Sequence, residues 1–280
     1  MNSRQTIQEI IAKKKKGERI VMLTAYDYPL AKIIDQCGID IILVGDSLAN
    51  VVLGLKSTRE VGMEVMLHHT KAVNRGVEHA LLVGDMPYEA YQIKPEFAVK
   101  NAKRFVEEAG CNAVKLEWFD RCLDVAQDII RAGIPVMGHV GLTPQNAERL
   151  GGMKLQGKDA SSAQKIIDNA QALEKVGCFS IVLECIPDKI AEIITRKLKI
   201  PTIGIGAGPA CDGQVLVTHD LLGLFDWYQP KFAKQYVKLN EIIGKAVTQF
   251  REEVRHKDFP SAQYTFTIKP QEFKKFKINK

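Results

Sequence analysis

"ILVGDSLANVVLG", residues 42–54, is answered some forty residues later by "LLVGDMPYEAY", residues 81–91. In each stretch a short apolar run passes through a glycine into an aspartate, Asp46 in the first and Asp85 in the second. A continuous apolar run of this length reads as a strand buried on both faces, the habit of parallel sheets. A carboxylate at the tip of such a strand must reach water or find a partner. Similar runs recur along the chain: "RIVMLTA" (19–25), "NAVKLE" (112–117), "IPVMGHV" (134–140), "FSIVLE" (179–184), "PTIGIG" (201–206) and, more weakly, "QVLVT" (214–218).

Helical patterns fill the intervals, at 60–76, 95–110, 121–133 and 159–177. Pro95 stands near the start of one, and Gly76, Gly110, Gly133 and Gly177 at the ends of four, as helix punctuation requires. Strands alternating with helices predict an α/β fold, and eight of them within about 220 residues close most economically as a (β/α)8 TIM barrel. An open doubly wound sheet is the alternative. The expected organisation is one domain over 1–280, with the barrel at about 18–225. A C-terminal extension of one or two helices and a basic tail follows at about 226–280.

Composition is that of an ordinary globular chain, 46% hydrophobic and 26% charged over 280 residues. No apolar run reaches the roughly 18 residues of a membrane span. The N-terminus "MNSRQTIQEIIAKKKKGERI" lacks the long apolar segment of a secretory signal. Six scattered cysteines without a Cys-x-x-Cys pair argue against a zinc ribbon or a disulfide framework. Reduced thiols and a cytoplasmic location are expected. The net charge of +6 does not make a nucleic-acid binder, because it is concentrated in the tail. Residues 231–280 carry 12 Lys/Arg against 5 Asp/Glu, whereas residues 1–230 carry 27 against 28. No nucleic-acid motif accompanies the tail.

What stands at the strand ends decides the chemistry. They carry Tyr26 and Asp27, Asp46 and Ser47, Asp85, Glu117, His139, Glu184, and Gly206 with Gly208. In a parallel barrel all C-terminal strand ends open on one face, where active sites lie. Asp46 and Asp85 are hard oxygen ligands suited to Mg²⁺, and Glu117 strengthens that reading over simple helix capping. Lys115 lies two residues before Glu117 on the same face of its strand. It is either a clamp for a substrate carboxylate, half of a structural Lys–Asp pair, or a Schiff-base amine. Glu184, ending an apolar strand, is a general base or a buried ion-pair partner, with Lys115 the nearest candidate. His139 is either a core histidine or a site residue. "GIGAGPACDGQ" (204–214) lacks the Lys-Ser/Thr of a nucleotide loop, and either cradles phosphate or makes a tight turn.

Taken in order, "LTAYDYPLA", "VGDSLANVVLG", "HHTKAV", "VGDMPYEAY", "VKLE", "GHVGLTPQ", "GGMKLQGK", "LECIP" and "GIGAGPACDGQVLV" closely resemble the ketopantoate hydroxymethyltransferase family over residues 5–255 or so. The resemblance implies Mg²⁺ at Asp46, Asp85 and Glu117, the last by way of water or directly. It implies contacts to a 2-oxo acid from Asp46, Ser47, Asp85 and Lys115, Glu184 as proton acceptor, and His139 as a supporting residue. It also implies 5,10-methylenetetrahydrofolate as co-substrate, 3-methyl-2-oxobutanoate as acceptor, ketopantoate on the route to pantothenate and coenzyme A as product, and a homo-oligomer, commonly a decamer. Two stretches depart from the family pattern: "LKSTREVGMEVML" (55–67), and Trp118-Phe119 directly after Glu117. Two other classes stand beside this one. The first is a different barrel lyase or aldolase acting on 2-oxo acids. The second is a non-catalytic binder using the basic C-terminus.

Overall fold

The computed structural model describes residues 4–225 and 230–276. Eight parallel strands close into a barrel: β1 (Ile20–Thr24), β2 (Ile41–Val44), β3 (Leu81–Asp85), β4 (Ala113–Glu117), β5 (Val136–Gly141), β6 (Ser180–Glu184), β7 (Thr202–Ile205) and β8 (Gly213–Leu216). The weakest run supplies the closing strand. Val215 of β8 pairs with Met22 of β1, and Gly213 with Ile203 of β7, so the sheet has no free edge. That pairing excludes the open doubly wound sheet.

The helices are α1 (Ile7–Lys16), α2 (Tyr28–Gln36), α3 (Leu48–Val51), α4 (Met63–Asn74), α5 (Ala98–Glu107), α6 (Cys122–Arg131), α7 (Ala160–Val176), α8 (Asp188–Lys197), α9 (Thr218–Leu222), α10 (Leu239–His256) and α11 (Pro270–Phe273). Two boundaries differ from the sequence pattern for local reasons. Ser57 caps a separate 3-10 turn at Thr58–Glu60, with Glu60 reaching back to the Ser57 N–H, so α4 starts only after Gly62. Pro95 likewise opens a 3-10 turn, Pro95–Phe97, before α5 begins. The end of α7 follows the pattern: Asp159 accepts from the Ser161 and Ser162 N–H groups, and Gly177 closes the helix at φ 107°. In the C-terminal extension α10 is the long helix, and the short α11 lies in the basic tail, where no helical pattern is expected. Residues 226–229 and 277–280 of the extension lie outside the described residues.

Strand periodicity sorts the core into two shells. Ile42, Val44, Leu82, Val114, Leu116, Val140, Ile181 and Leu183 face the helices. The alternate residues Ile41, Leu43, Leu81, Val83, Ala113, Met137, Val182, Ile203 and Val215 fill the barrel interior. At the N-terminal end Ile7, Ile10 and Ile11 of α1 pack on that interior cluster and plug it. The same alternation, continued toward the C-terminal end, replaces aliphatic side chains by ionisable ones. Ala113 is followed inward by Lys115 and Glu117, Val83 by Asp85, Met137 by His139, and Val182 by Glu184.

Candidate active site

Asp46, Asp85, Lys115, Glu117, His139 and Glu184 meet at the floor of one cavity of about 460 Å³ at the C-terminal mouth of the barrel. Lys56, Met153 and Phe232 are among the residues of its outer wall. Of the side chains read from the strand ends, all arrive there except Tyr26, which touches the site only through Ser47, and Asp27. That residue is the N-cap of α2, accepting from the Leu30 N–H at 2.9 Å. Ser47 also lines the cavity, with its Oγ 2.8 Å from the Tyr26 hydroxyl.

The centre is an ion pair. Lys115 Nζ donates to both oxygens of Asp85, at 2.7 and 2.8 Å, and both residues are buried. Strand register enforces the contact, because Asp85 and Lys115 are direct partners across β3 and β4. Of the three readings of Lys115, the Lys–Asp pair is therefore present in the structure. Burial alone would lower the Lys115 pKa, but the carboxylates of Asp85, Glu117 and Asp46 outweigh it and hold the ammonium charged. A charged, ion-paired amine is a poor Schiff-base nucleophile.

Asp46 extends the cluster: its backbone N–H donates to Asp85 Oδ2 at 3.2 Å. Burial, then repulsion from Asp85, pushes its carboxyl up to about 7. Burial and the Asp46 charge push Glu117 well above the usual carboxylate range. Glu184, its side chain 13% exposed, is raised to about 8 by burial, against the opposing pull of Lys115. It does not pair with Lys115. Its nearest charged-type neighbour is His139, whose Nε2 lies 3.3 Å from Glu184 Oε2, while Nδ1 lies 3.8 Å from Glu117 Oε1. The second distance is long and neither contact has hydrogen-bond geometry, so both ring nitrogens lack a partner. Burial, and secondarily the Lys115 charge, keep His139 neutral by lowering its pKa well below the ordinary value.

Four carboxylates thus share one ammonium in a buried site, a donor set that attracts a divalent cation. Glu117 Oε1 is a buried oxygen with no hydrogen bond. These features fit a hard, oxygen-liganded ion such as Mg²⁺. Among the described residues, no three His, Cys, Asp or Glu side chains are gathered into a ready-made metal cage. An ion here would need ligands from water or substrate as well as protein, the usual state of Mg²⁺.

Two participants were not legible as site residues. Gln145 Nε2 donates to Asp46 Oδ2 at 2.9 Å, and its backbone N–H donates to Glu117 Oε2 at 3.0 Å. Tyr91 donates its hydroxyl to Gln145 Oε1 at 2.6 Å and accepts from the Glu117 N–H at 3.0 Å. Both lie inside quoted motifs, "GHVGLTPQ" and "VGDMPYEAY", but off the strand tips, so the strand-end rule passes over them. The aromatic pair after Glu117 turns away from the mouth: Trp118 and Phe119 pack on the helix-side core, and Phe119 meets the Tyr91 ring edge-on at 5.3 Å. The glycine-rich loop serves close packing. A Cβ on Gly206 (φ 63°) would come within 2.7 Å of the Phe232 ring, and one on Gly208 within 2.6 Å of Asp188 Cβ.

A closed barrel carrying buried carboxylates at the C-terminal ends of its strands defines an enzyme of the (β/α)8 class. Within that class the chain belongs to the ketopantoate hydroxymethyltransferase family, whose model matches residues 4–262. It is 52% identical over 275 residues to the 3-methyl-2-oxobutanoate hydroxymethyltransferase of Syntrophobacter fumaroxidans, covering 98% of this chain and 97% of that one. The protein of the same name from Syntrophomonas wolfei is 50% identical over 267 residues, covering 95% and 97%. Among solved structures, a phosphonopyruvate hydrolase in complex with oxalate and Mg²⁺ superposes with a TM-score of 0.59 at 14% identity, over 93% of each chain. A 2,3-dimethylmalate lyase of the PEP mutase/isocitrate lyase superfamily does so with a TM-score of 0.57 at 14% identity, over 95% and 93%. These two share the barrel. No helix among the described residues is long and apolar enough to cross a membrane.

Proposed function

We propose that this chain transfers a one-carbon unit from 5,10-methylenetetrahydrofolate to 3-methyl-2-oxobutanoate. With one water consumed, the products are ketopantoate and tetrahydrofolate. The observation that carries this reading is the placing of a buried carboxylate with a raised pKa, Glu184, in the same cavity as the Lys115–Asp85 pair and Asp46. Family membership supports this choice of substrates, and the geometry supports these roles.

Lys115 and Ser47 take the carboxylate of the keto acid. Lys115 offers charge, and Ser47 a hydroxyl held by Tyr26. Glu184 removes the proton from C3, leaving an enolate that attacks the methylene carbon. A base near pKa 8 is matched to proton abstraction at neutral pH, and Lys115 already pulls it downward. Neutral His139 stands against Glu184 without adding a charge to be desolvated. Asp46 and Asp85 would hold Mg²⁺, with Glu117 beside them, and the ion would supply Lewis-acid stabilisation of the negative charge that develops on the keto oxygen.

Self-association completes the proposal. Ile242, Ile243, Val247, Phe250 and Val254 of α10 are each 46% exposed or more, an apolar stripe that association of copies, up to the family's decamer, would cover. Six free cysteines accord with the cytoplasm.

The test is hydrogen exchange. In D₂O with Mg²⁺ and no folate, the enzyme should exchange the C3 proton of 3-methyl-2-oxobutanoate. Glu184→Gln keeps shape but cannot accept the proton, so exchange should fall by about 10²–10⁴-fold, and added Mg²⁺ should not restore it. Exchange at the wild-type rate in that variant would move the base elsewhere, with His139 next in line.

A further inference from the structure

Gln145 sits in the 3-10 turn Pro144–Asn146 after β5 and is wholly buried. All of its polar side-chain atoms are engaged. Nε2 donates to Asp46 Oδ2 at 2.9 Å and to the Met86 carbonyl at 3.0 Å. Oε1 accepts from the Tyr91 hydroxyl at 2.6 Å and from Gln92 Nε2 at 2.9 Å. Its own backbone N–H holds Glu117 Oε2 at 3.0 Å. One residue therefore ties the segments that follow β2 and β3, and the last residue of β4, to the turn that follows β5.

The amide has an electrostatic reason. Asp46 and Glu117 are both acceptors, in a site that already holds four carboxylates and one ammonium. A donor is needed that adds no charge. Lysine or arginine at this position would neutralise Asp46 and weaken its pull on a cation, and a carboxylate would repel it. Tyr91 decides which way round the amide lies: its hydroxyl donates to Oε1, so the NH₂ end must face Asp46. The contacts take one oxygen of each carboxylate. Glu117 Oε1 is left buried without a partner, and Asp46 Oδ1 accepts no hydrogen bond from the described residues.

We propose that Gln145, oriented by Tyr91, is a positioning residue for the divalent-cation site: it pins one oxygen of Asp46 and one of Glu117 so that the other oxygen of each faces the ion or its water. The inference rests on the reading of this mouth as a Mg²⁺ site. Gln145 touches neither substrate nor ion; it acts through the carboxylates. Outer partners of this kind typically change metal affinity by about 10–100-fold when removed.

The experiment titrates full-length protein, free of substrates, with Mn²⁺ as an oxygen-seeking probe and counts free Mn²⁺ by electron paramagnetic resonance. Gln145→Met keeps the length and the backbone N–H to Glu117 and removes the side-chain donors, so it tests the hold on Asp46. It should weaken Mn²⁺ binding by about 10-fold or more and raise the Mg²⁺ needed for half-maximal activity in proportion. Excess Mg²⁺ should restore most of kcat, and KM for the folate donor should stay within twofold. Tyr91→Phe frees the amide without deleting it, and should weaken Mn²⁺ binding roughly threefold, less than loss of the whole amide. A purely structural role would lower the melting temperature and leave Mn²⁺ affinity alone, so variants that bind Mn²⁺ as tightly as wild type overturn the inference. Should Gln145→Met not fold, Tyr91→Phe decides by the same measure. A wild type that binds no Mn²⁺ overturns the cation reading and this inference with it.

Discussion

The two ends of the barrel use the same residue for opposite purposes. At the N-terminal end, Asp35, Asp40 and Asp212 are each matched. Asp40 accepts from Lys13 at 3.0 Å, Gln5 at 3.0 Å and the Val21 N–H at 2.8 Å. Asp212 accepts from Lys14 Nζ at 2.8 Å and from the Thr202 N–H and hydroxyl at 2.8 and 3.0 Å. Asp35 takes the N–H groups of Glu78, His79 and Ala80. At the C-terminal end, Asp46, Asp85, Glu117 and Glu184 have one lysine between them. Satisfied carboxylates stabilise a fold, whereas unsatisfied ones hold energy ready for a ligand, at a cost in stability.

The largest expected effect tests that division at the mouth. Asp46→Asn removes one charge from the repelling set and one proposed metal ligand. Turnover should fall by about 10²-fold or more, beyond the roughly 10–100-fold that losing an outer partner of a metal site typically costs, with partial recovery in high Mg²⁺. The melting temperature of the metal-free protein should hold or rise. A melting temperature that drops as far as in the next variant would erase the contrast between the two ends. That variant is Asp212→Asn, at the opposite end. It leaves Lys14 without its charge partner while no mouth residue moves. We expect a loss of about 1–3 kcal/mol, the range for a hydrogen-bonded charged group, read from urea unfolding with Mg²⁺ present. KM for the keto acid should be unchanged, and a shift there would show that the two ends communicate.

The smallest effect is a slope. Asp46 and Glu184 are raised to about 7 and about 8 in the folded chain, from ordinary values of 3.8 and 4.5. Between those limits the folded protein binds protons that the unfolded chain has released, so stability falls as pH rises. The metal-free protein should therefore lose melting temperature progressively from about pH 5 to pH 8. Mg²⁺ should flatten the curve by offsetting the ionised carboxylates. Equal slopes in EDTA and in Mg²⁺ would mean that the cation does not bind at these groups.

Much of the site was legible because strand tips are a local feature: an apolar run that ends in a carboxylate is visible in seven residues, as in "DIILVGD". Asp46, Asp85, Glu117, His139 and Glu184 were found that way, and Lys115 by its two-residue offset from Glu117. Asp27 was also found that way and does not belong, because the same residue type at the same place suits a helix N-cap equally well. Gln145 and Tyr91 were missed because they sit in a 3-10 turn and a π-helical segment, where no periodicity announces which side chain turns inward.

The sequence by itself determined the strand–helix alternation, hence a parallel α/β fold with the barrel as its economical closure, and which ionisable residues stand at the C-terminal strand ends. Hydrophobic periodicity and strand direction are enough for that. Only the tertiary structure decided the pairings: Lys115 with Asp85 rather than Glu184, His139 between Glu117 and Glu184, Gln145 across to Asp46. Those depend on barrel closure and on the register between neighbouring strands, such as Asp85 against Lys115 and Glu117 against His139. Register is a relation between segments distant in the chain, so no single stretch of residues contains it.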